Sequence, residues 1–545
     1  MKLSNAVDAV QTIDTNLLFN VRICENIVNS LISTESFPCM NYIYHINNLL
    51  MKSNFSKKDN LYHKRVLYEN KEVFRNYVEF LNVKINEQVL FDNSNCLISR
   101  FSCVNLIERI LKYGNFKNNI ITEFDDELLT KIILLNIFET EIDEESNEYE
   151  SKNNLLNLSL SIITYNQFSN NIFNSNFFRL SYIYNNYIHN NTEINSLFRK
   201  SNGYSIKNYL LFIQLFFLLG SKVDTKVNYN NLNNSTDAKE IKKCFKEHVF
   251  DFKSENEKRK IVIDSYIPSR ILIDKPIISF ENGYLIINSG LLIDRIYGIF
   301  FQKIKSSINN NRLFNSKFYG TLFEKYCRDI ARNYTLNSKY KYYNFIEPFK
   351  YTIGNDQKDS SDFYINYNDT TIIFEIKSTQ RFIETTVDVS KKRSNKYIKE
   401  EVDYKIVTPL KQIENRLSEI LSLNSTLYPK EISMIQKSLK YYYIIVSDET
   451  IINNYLFYND YLSKLKCKFS THIPLYLNIS EFECLMMSLY KRKKSIDKVI
   501  EYYYNNYFNS NFFAMILKEK KNFKFDKLDI FEKRPFDEEL KKILN

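Results

Sequence analysis

Tryptophan is absent from this 545-residue chain, and glycine and proline number only 8 each. That scarcity excludes collagen-like repeats and long Gly/Pro-rich linkers, and it leaves Asn and Asp to make most of the turns. The 8 cysteines (Cys24, Cys39, Cys96, Cys103, Cys244, Cys327, Cys467, Cys484) include no CxxC pair. Such spacing argues against a zinc or disulfide framework and for reduced, packed thiols in a cytoplasmic protein. The 5 histidines (His45, His63, His189, His248, His472) are scattered without metal-ligand spacing. No Walker A, GxGxxG or GxSxG segment occurs, so ATPase, dinucleotide and serine-hydrolase chemistries have no foothold. The most apolar stretch, residues 209–219, is about half the ~20 residues needed to cross a bilayer, and Gln214 interrupts it. The N-terminus lacks an apolar signal core. No membrane association is expected.

What is present is a chain that folds. Hydrophobic residues make up 44% and aromatics 15%, with 41 Tyr and 42 Phe, far from the composition of a disordered chain. The length calls for more than one core. The formal charge of +10 fits an anionic partner such as nucleic acid without requiring one.

Residues 15–32 place Leu17, Val21, Cys24, Val28 and Leu31 on one helical face, and residues 125–138 repeat the pattern behind an acidic first turn. Residues 1–230 therefore read as a mainly helical domain suited to substrate recognition or a protein partner. Its acidic run, 139–150, and its Asn-rich stretch, 165–192, read as solvated loops or helix faces. The polar segment 228–236 reads as a connector. Residues 250–310 read as a connecting region, with two short strands around Asn282 and Gly283 and a helix through 291–304. Residues 317–500 read as helix, strands, helix, strand, strand, helix, an α/β order. The elements expected there are 320–332, 348–353, 362–367, 371–378, 408–423, 440–447, 473–479 and a helix from Glu481. Residues 501–545 form a helical extension.

The most informative segment runs from Ser361 to Ser378. A two-residue turn at Asn368 and Asp369 would set Asp362 opposite Glu375. Side chains alternate along a strand, so Glu375 and Lys377 share one face while Phe363, Ile365, Phe374 and Ile376 fill the other. Facing carboxylates destabilise a sheet unless a cation joins them, and Mg²⁺ suits hard oxygen ligands. Copies of the Glu-x-Lys tripeptide at Glu240 to Lys242 and Glu519 to Lys521 lie in polar, helix-like surroundings. A third carboxylate, Glu324, falls on the buried side of the helix 320–332 beside Phe323, Cys327 and Ile330. Burial calls for a partner charge there.

The order helix with Glu324, strand with Asp362, strand with Glu375-x-Lys377, helix resembles the PD-(D/E)xK, or restriction-endonuclease-like, nuclease superfamily over about 317–500. The resemblance implies an α/β nuclease core, a mixed central sheet flanked by helices, behind the large helical N-terminal domain. It implies that Asp362, Glu375 and Glu324 bind Mg²⁺, with Mn²⁺ able to substitute, and that Lys377 positions the nucleophile. Gln412, in TPLKQIENRL, occupies the place where several branches of the family offer a Gln or Lys to the site. Ser361 stands where the motif has Pro, which admits Asp356 and Asp359 as competitors; register favours Asp362. The implied activity is metal-dependent phosphodiester hydrolysis, as an endonuclease, on DNA ahead of RNA, in prokaryotic defence or a mobile element. The alternative is a catalytically inactive, nuclease-like nucleic-acid-binding or scaffold subunit. The basic stretch 391–399 reads equally as a phosphate-backbone contact or a solvated loop.

Overall fold

The computed structural model describes residues 11–12, 18, 25–52, 57–70, 85–92, 95–98, 100–117, 121–147, 173–220, 235–263, 270–280, 283–287, 300–308, 314, 318–338, 342–377, 407–423, 429–447, 466–491, 495–507, 512–524, 528–529 and 536–544. The basic stretch 391–399 and most of the connector 228–236 and of the helix 291–304 lie outside them. Two compact units are present: residues 1–177, 195–303 and 534–545 form the first, and 178–194 and 304–533 the second.

The first unit is helical, as its patterning predicts. Helices α1 (Glu25–Ser33), α2 (Cys39–Lys52), α3 (Lys57–Glu69), α4 (Arg100–Tyr113) and α5 (Asp126–Asn147) surround one apolar cluster that includes Ile43, Ile107, Ile133 and Phe138. The acidic run is not wholly solvated: Glu139, on α5, is buried and receives Nε and Nη2 of buried Arg109 at 2.7 and 2.8 Å. The apolar stretch forms α6 (Ile206–Gly220), where buried Gln214 bonds Asp537 and the backbone of Phe536. Helix α7 (Thr236–Glu247) starts at Ser235, whose hydroxyl caps Ala238 N–H. A small sheet holds β1 (Val249–Phe250), β2 (Ile277–Phe280) and β3 (Gly283–Ile286). Gly283 already pairs with Phe280, so it belongs to the strand and not to the turn that the Asn-Gly dipeptide suggests.

The second unit contains a five-stranded sheet. Helix α8 (Gly320–Leu336) precedes the sheet and buries Phe323, Tyr326, Cys327 and Ile330. Strands β4 (Asn344–Ile346), β5 (Lys350–Ile353), β6 (Asp356–Asp359), β7 (Phe363–Tyr367) and β8 (Thr370–Lys377) follow. Next come α9 (Thr408–Leu421), α10 (Pro429–Gln436), β9 (Lys440–Ser447), β10 (Leu475–Asn478), α11 (Ile479–Lys491) and α12 (Ile496–Asn506). The sheet order is β10-β9-β8-β7-β4; β7 runs antiparallel to β8 and β4, whereas β9 is parallel to β8 and β10. Strands β5 and β6 form a separate hairpin.

The β7–β8 turn consists of Asn368 and Asp369: Tyr367 pairs with Thr370, and Asn368 has φ 47°. Asn tolerates that left-handed conformation better than most residues. The carbonyl of Asp369 accepts the N–H groups of Leu439 and Lys440 at 2.7 and 3.0 Å, tying the turn to the start of β9. Both faces of β8 are covered. Phe374 stacks on Phe363 at 4.3 Å on one face, near Phe482 of α11. Ile373 packs in the other layer with Leu410, Ile413 and Leu417 of α9. The alternation that divides Glu375 from Phe374 therefore turns Glu375 toward α9.

Candidate active site

The hairpin register places Asp362 one residue ahead of β7, at the position that extends the ladder to Glu375. Its Oδ2 accepts the Ile376 N–H at 2.6 Å. Asp362 is thus outside the paired strand but fastened to β8 by its side chain. Glu375 is 2% exposed. One of its oxygens receives Lys377 Nζ at 2.8 Å and the other receives Arg416 Nη1 at 2.7 Å. Lys377 Nζ also donates to Gln412 Oε1 at 2.8 Å. Glu324, on α8, is half-buried and makes no hydrogen bond or ion pair among the described residues.

The electrostatic couplings run among these same groups. Burial, then the charges of Glu375 and Glu324, push the Asp362 carboxyl up to about 7. Burial also raises Glu324, with Glu375 adding to the rise and Arg328 and Lys377 opposing it. For Arg416 burial works downward, but the charge of Glu375 and its hydrogen bond outweigh burial and raise the guanidinium. A like charge held this close in a poorly solvated pocket favours the neutral acid at Asp362 and at Glu324.

All five residues singled out in the sequence, Glu324, Asp362, Glu375, Lys377 and Gln412, therefore meet by contact or by charge. The competitors do not join them. Asp356 and Asp359 are exposed on the separate β5–β6 hairpin, where Asp359 lies 3.9 Å from Lys350. The duplicate tripeptide is helical: Glu240, on α7, accepts from Ser205 N–H, Asn208 and Arg199. Arg416 escaped the sequence reading. Its signal was the spacing of four from Gln412, which puts both on one face of α9.

Among the described residues, no three His, Cys, Asp or Glu side chains are gathered into a ready-made metal cage. Glu375 instead engages two cationic side chains of the protein itself. The chemistry of the donor set nevertheless fits a hard divalent cation. The charges of Glu375 and Glu324 oppose ionisation of Asp362, that of Glu375 opposes ionisation of Glu324, and Asp362 has one oxygen, and Glu324 both, without a hydrogen-bond partner among the described residues. No family model, curated protein or solved structure matches the chain. Among the described residues, no helix is long and apolar enough to cross a membrane.

Proposed function

We propose that this protein is a divalent-metal-dependent nuclease of the PD-(D/E)xK type, acting on DNA. The observation that carries the reading is the meeting of Asp362, Glu375 and Lys377 on one edge of a hairpin with Glu324 from a preceding helix, in a mixed sheet flanked by helices. Asp362, Glu375 and Glu324 would hold Mg²⁺ or Mn²⁺, which when bound supplies Lewis-acid stabilisation of charge on the phosphate. Lys377 has three ammonium donors, of which Glu375 and Gln412 engage two, leaving one N–H to orient a water or a phosphate oxygen. Gln412 holds that ammonium in place. The Asp362 carboxyl, pushed up to about 7, would have to give up its proton for a cation to be held there, so cation uptake would release protons below neutral pH.

Supercoiled plasmid, linear duplex and single-stranded substrates, each with and without Mg²⁺, test the reading. Cleavage should require metal, and Lys377→Ala should lower its rate at least about a hundredfold. Equal cleavage by wild type and variant would sink the assignment. A second reading, a nucleic-acid-binding or scaffold subunit without turnover, draws on the Arg416 contact, which neutralises Glu375 without any metal. Binding with a steep salt slope and no cleavage in Mg²⁺ or Mn²⁺ would favour it. The helical first unit would then serve recognition in either case.

A further inference from the structure

Arg416 is an unusual occupant of a site built for a cation. Its guanidinium lies 2.7 Å from one oxygen of a carboxylate that is 2% exposed, and its charge also acts on Asp362. It thus supplies the positive charge that the facing carboxylates need. Lys377 is anchored twice, on Glu375 and on Gln412. Arg416 donates only one hydrogen bond among the described residues, its side chain is 26% exposed, and its remaining N–H groups point to no protein acceptor there. A planar fork of N–H donors suits phosphate and carboxylate alike, and a long side chain rooted on α9 has other rotamers to adopt.

We propose that Arg416 is a resident counter-cation on Glu375 that a divalent metal ion displaces, and that the displaced guanidinium then binds a phosphate of the nucleic acid. The second half rests on the nuclease reading; the first concerns only this chain and a metal ion. Metal and arginine cannot both take the same oxygen of Glu375 without mutual repulsion, so each weakens the hold of the other. A phosphate that draws Arg416 away must then strengthen metal binding, and metal must strengthen phosphate binding by the same factor. In the absence of nucleic acid a metal ion must compete with this side chain for Glu375.

The test is calorimetric titration of Mn²⁺ into the full-length protein without nucleic acid. Arg416→Gln should bind Mn²⁺ at least about fivefold more tightly than wild type. Equal or weaker binding, or none measurable in either protein, overturns the proposal. Should Arg416→Gln fail to fold, Arg416→Lys, with a shorter and unforked hold on Glu375, should tighten Mn²⁺ in the same direction by a smaller factor, and no tightening there overturns it likewise. Glu375→Gln should lose the high-affinity heat in both backgrounds. A second arm measures duplex DNA affinity by fluorescence anisotropy in Ca²⁺ and in chelator. The gain that metal confers on wild type should shrink in Arg416→Gln, and an undiminished gain removes the phosphate role. If wild type never cleaves, yet Arg416→Gln binds Mn²⁺ more tightly than wild type, the nuclease reading ends and the counter-cation stands.

Discussion

Asp362 carries the cost of the site's crowding. Its folded-state acid sits near 7, whereas an aspartate in an unfolded chain titrates near ~3.9. The folded protein therefore holds this proton more tightly than the unfolded chain, and stability from this group is full below about pH 4 and lost as pH rises through about 7. Asp362→Asn can still accept the Ile376 N–H through its amide oxygen, yet it never ionises. In metal-free buffer with chelator, urea unfolding should find the Asn variant gaining on wild type by about 3 kcal/mol between pH 5 and pH 8. A gap that stays constant with pH would show that the carboxyl is not crowded. Cleavage should move the other way and fall sharply. Glu375→Ala should abolish it too, while leaving Lys377 and Arg416 as unpaired cations that lower stability by about 1–3 kcal/mol. Glu240→Ala should cost stability alone, since Glu240 accepts three hydrogen bonds that fasten α7 and makes none to the site; a large loss of cleavage there would mean that the wrong tripeptide was chosen.

At the scale of elements, the hairpin was legible because two independent signals agreed. Alternation set Phe363 and Phe374 apart from Glu375, and the Asn-Asp dipeptide fixed the turn, so strand limits at β7 and β8 differ from the expected ones by a residue at most. Strand β6, with the sequence DQKD, was not legible: it is polar throughout, pairs only with β5, and buries no side chain that would leave an apolar pattern. Strand β4 is too short, at three residues, to show a period. Helix α9 was expected at 408–423 and runs Thr408–Leu421, burying Leu410, Ile413, Leu417 and Ile420, but Arg416 was not singled out. A charge beside an apolar face ordinarily reaches for water; here it reaches a buried carboxylate, which only the assembled sheet supplies.

The molecule as a whole uses buried arginines where the composition suggests bland surface. Arg179 lies in the Asn-rich stretch that reads as solvated, in the helix Phe173–Ile183, yet it is fully buried. Within the second unit it places two N–H groups on Glu483 of α11, at 2.5 and 2.8 Å, and Glu483 also accepts the hydroxyl of Tyr326 on α8 at 2.5 Å. That network joins α11 to the helix bearing Glu324. Removing one partner leaves a buried charge alone, so Arg179→Leu should destabilise the protein by about 3–5 kcal/mol. The double variant Arg179→Leu with Glu483→Leu should recover part of that loss in the same melts; no recovery would show that Arg179 acts by packing rather than by charge.

The turn at Asn368 and Asp369 lies about 20 Å along β8 from Glu375, at ~3.3 Å per residue. It nonetheless decides what residue 375 is. Loss of one residue there reverses the parity of everything downstream, so that a carboxylate would enter the phenylalanine layer of Phe363 and Phe482 while Phe374 would turn toward Gln412 and Arg416. The tie from Asp369 to Leu439 and Lys440 would be disturbed as well. Such a chain would bury a charge among the rings and expose the polar pocket to a phenylalanine, both of which disfavour a folded but miswired protein. The turn is a fail-safe: an error of length in it costs the fold before it can yield a misaligned set of carboxylates.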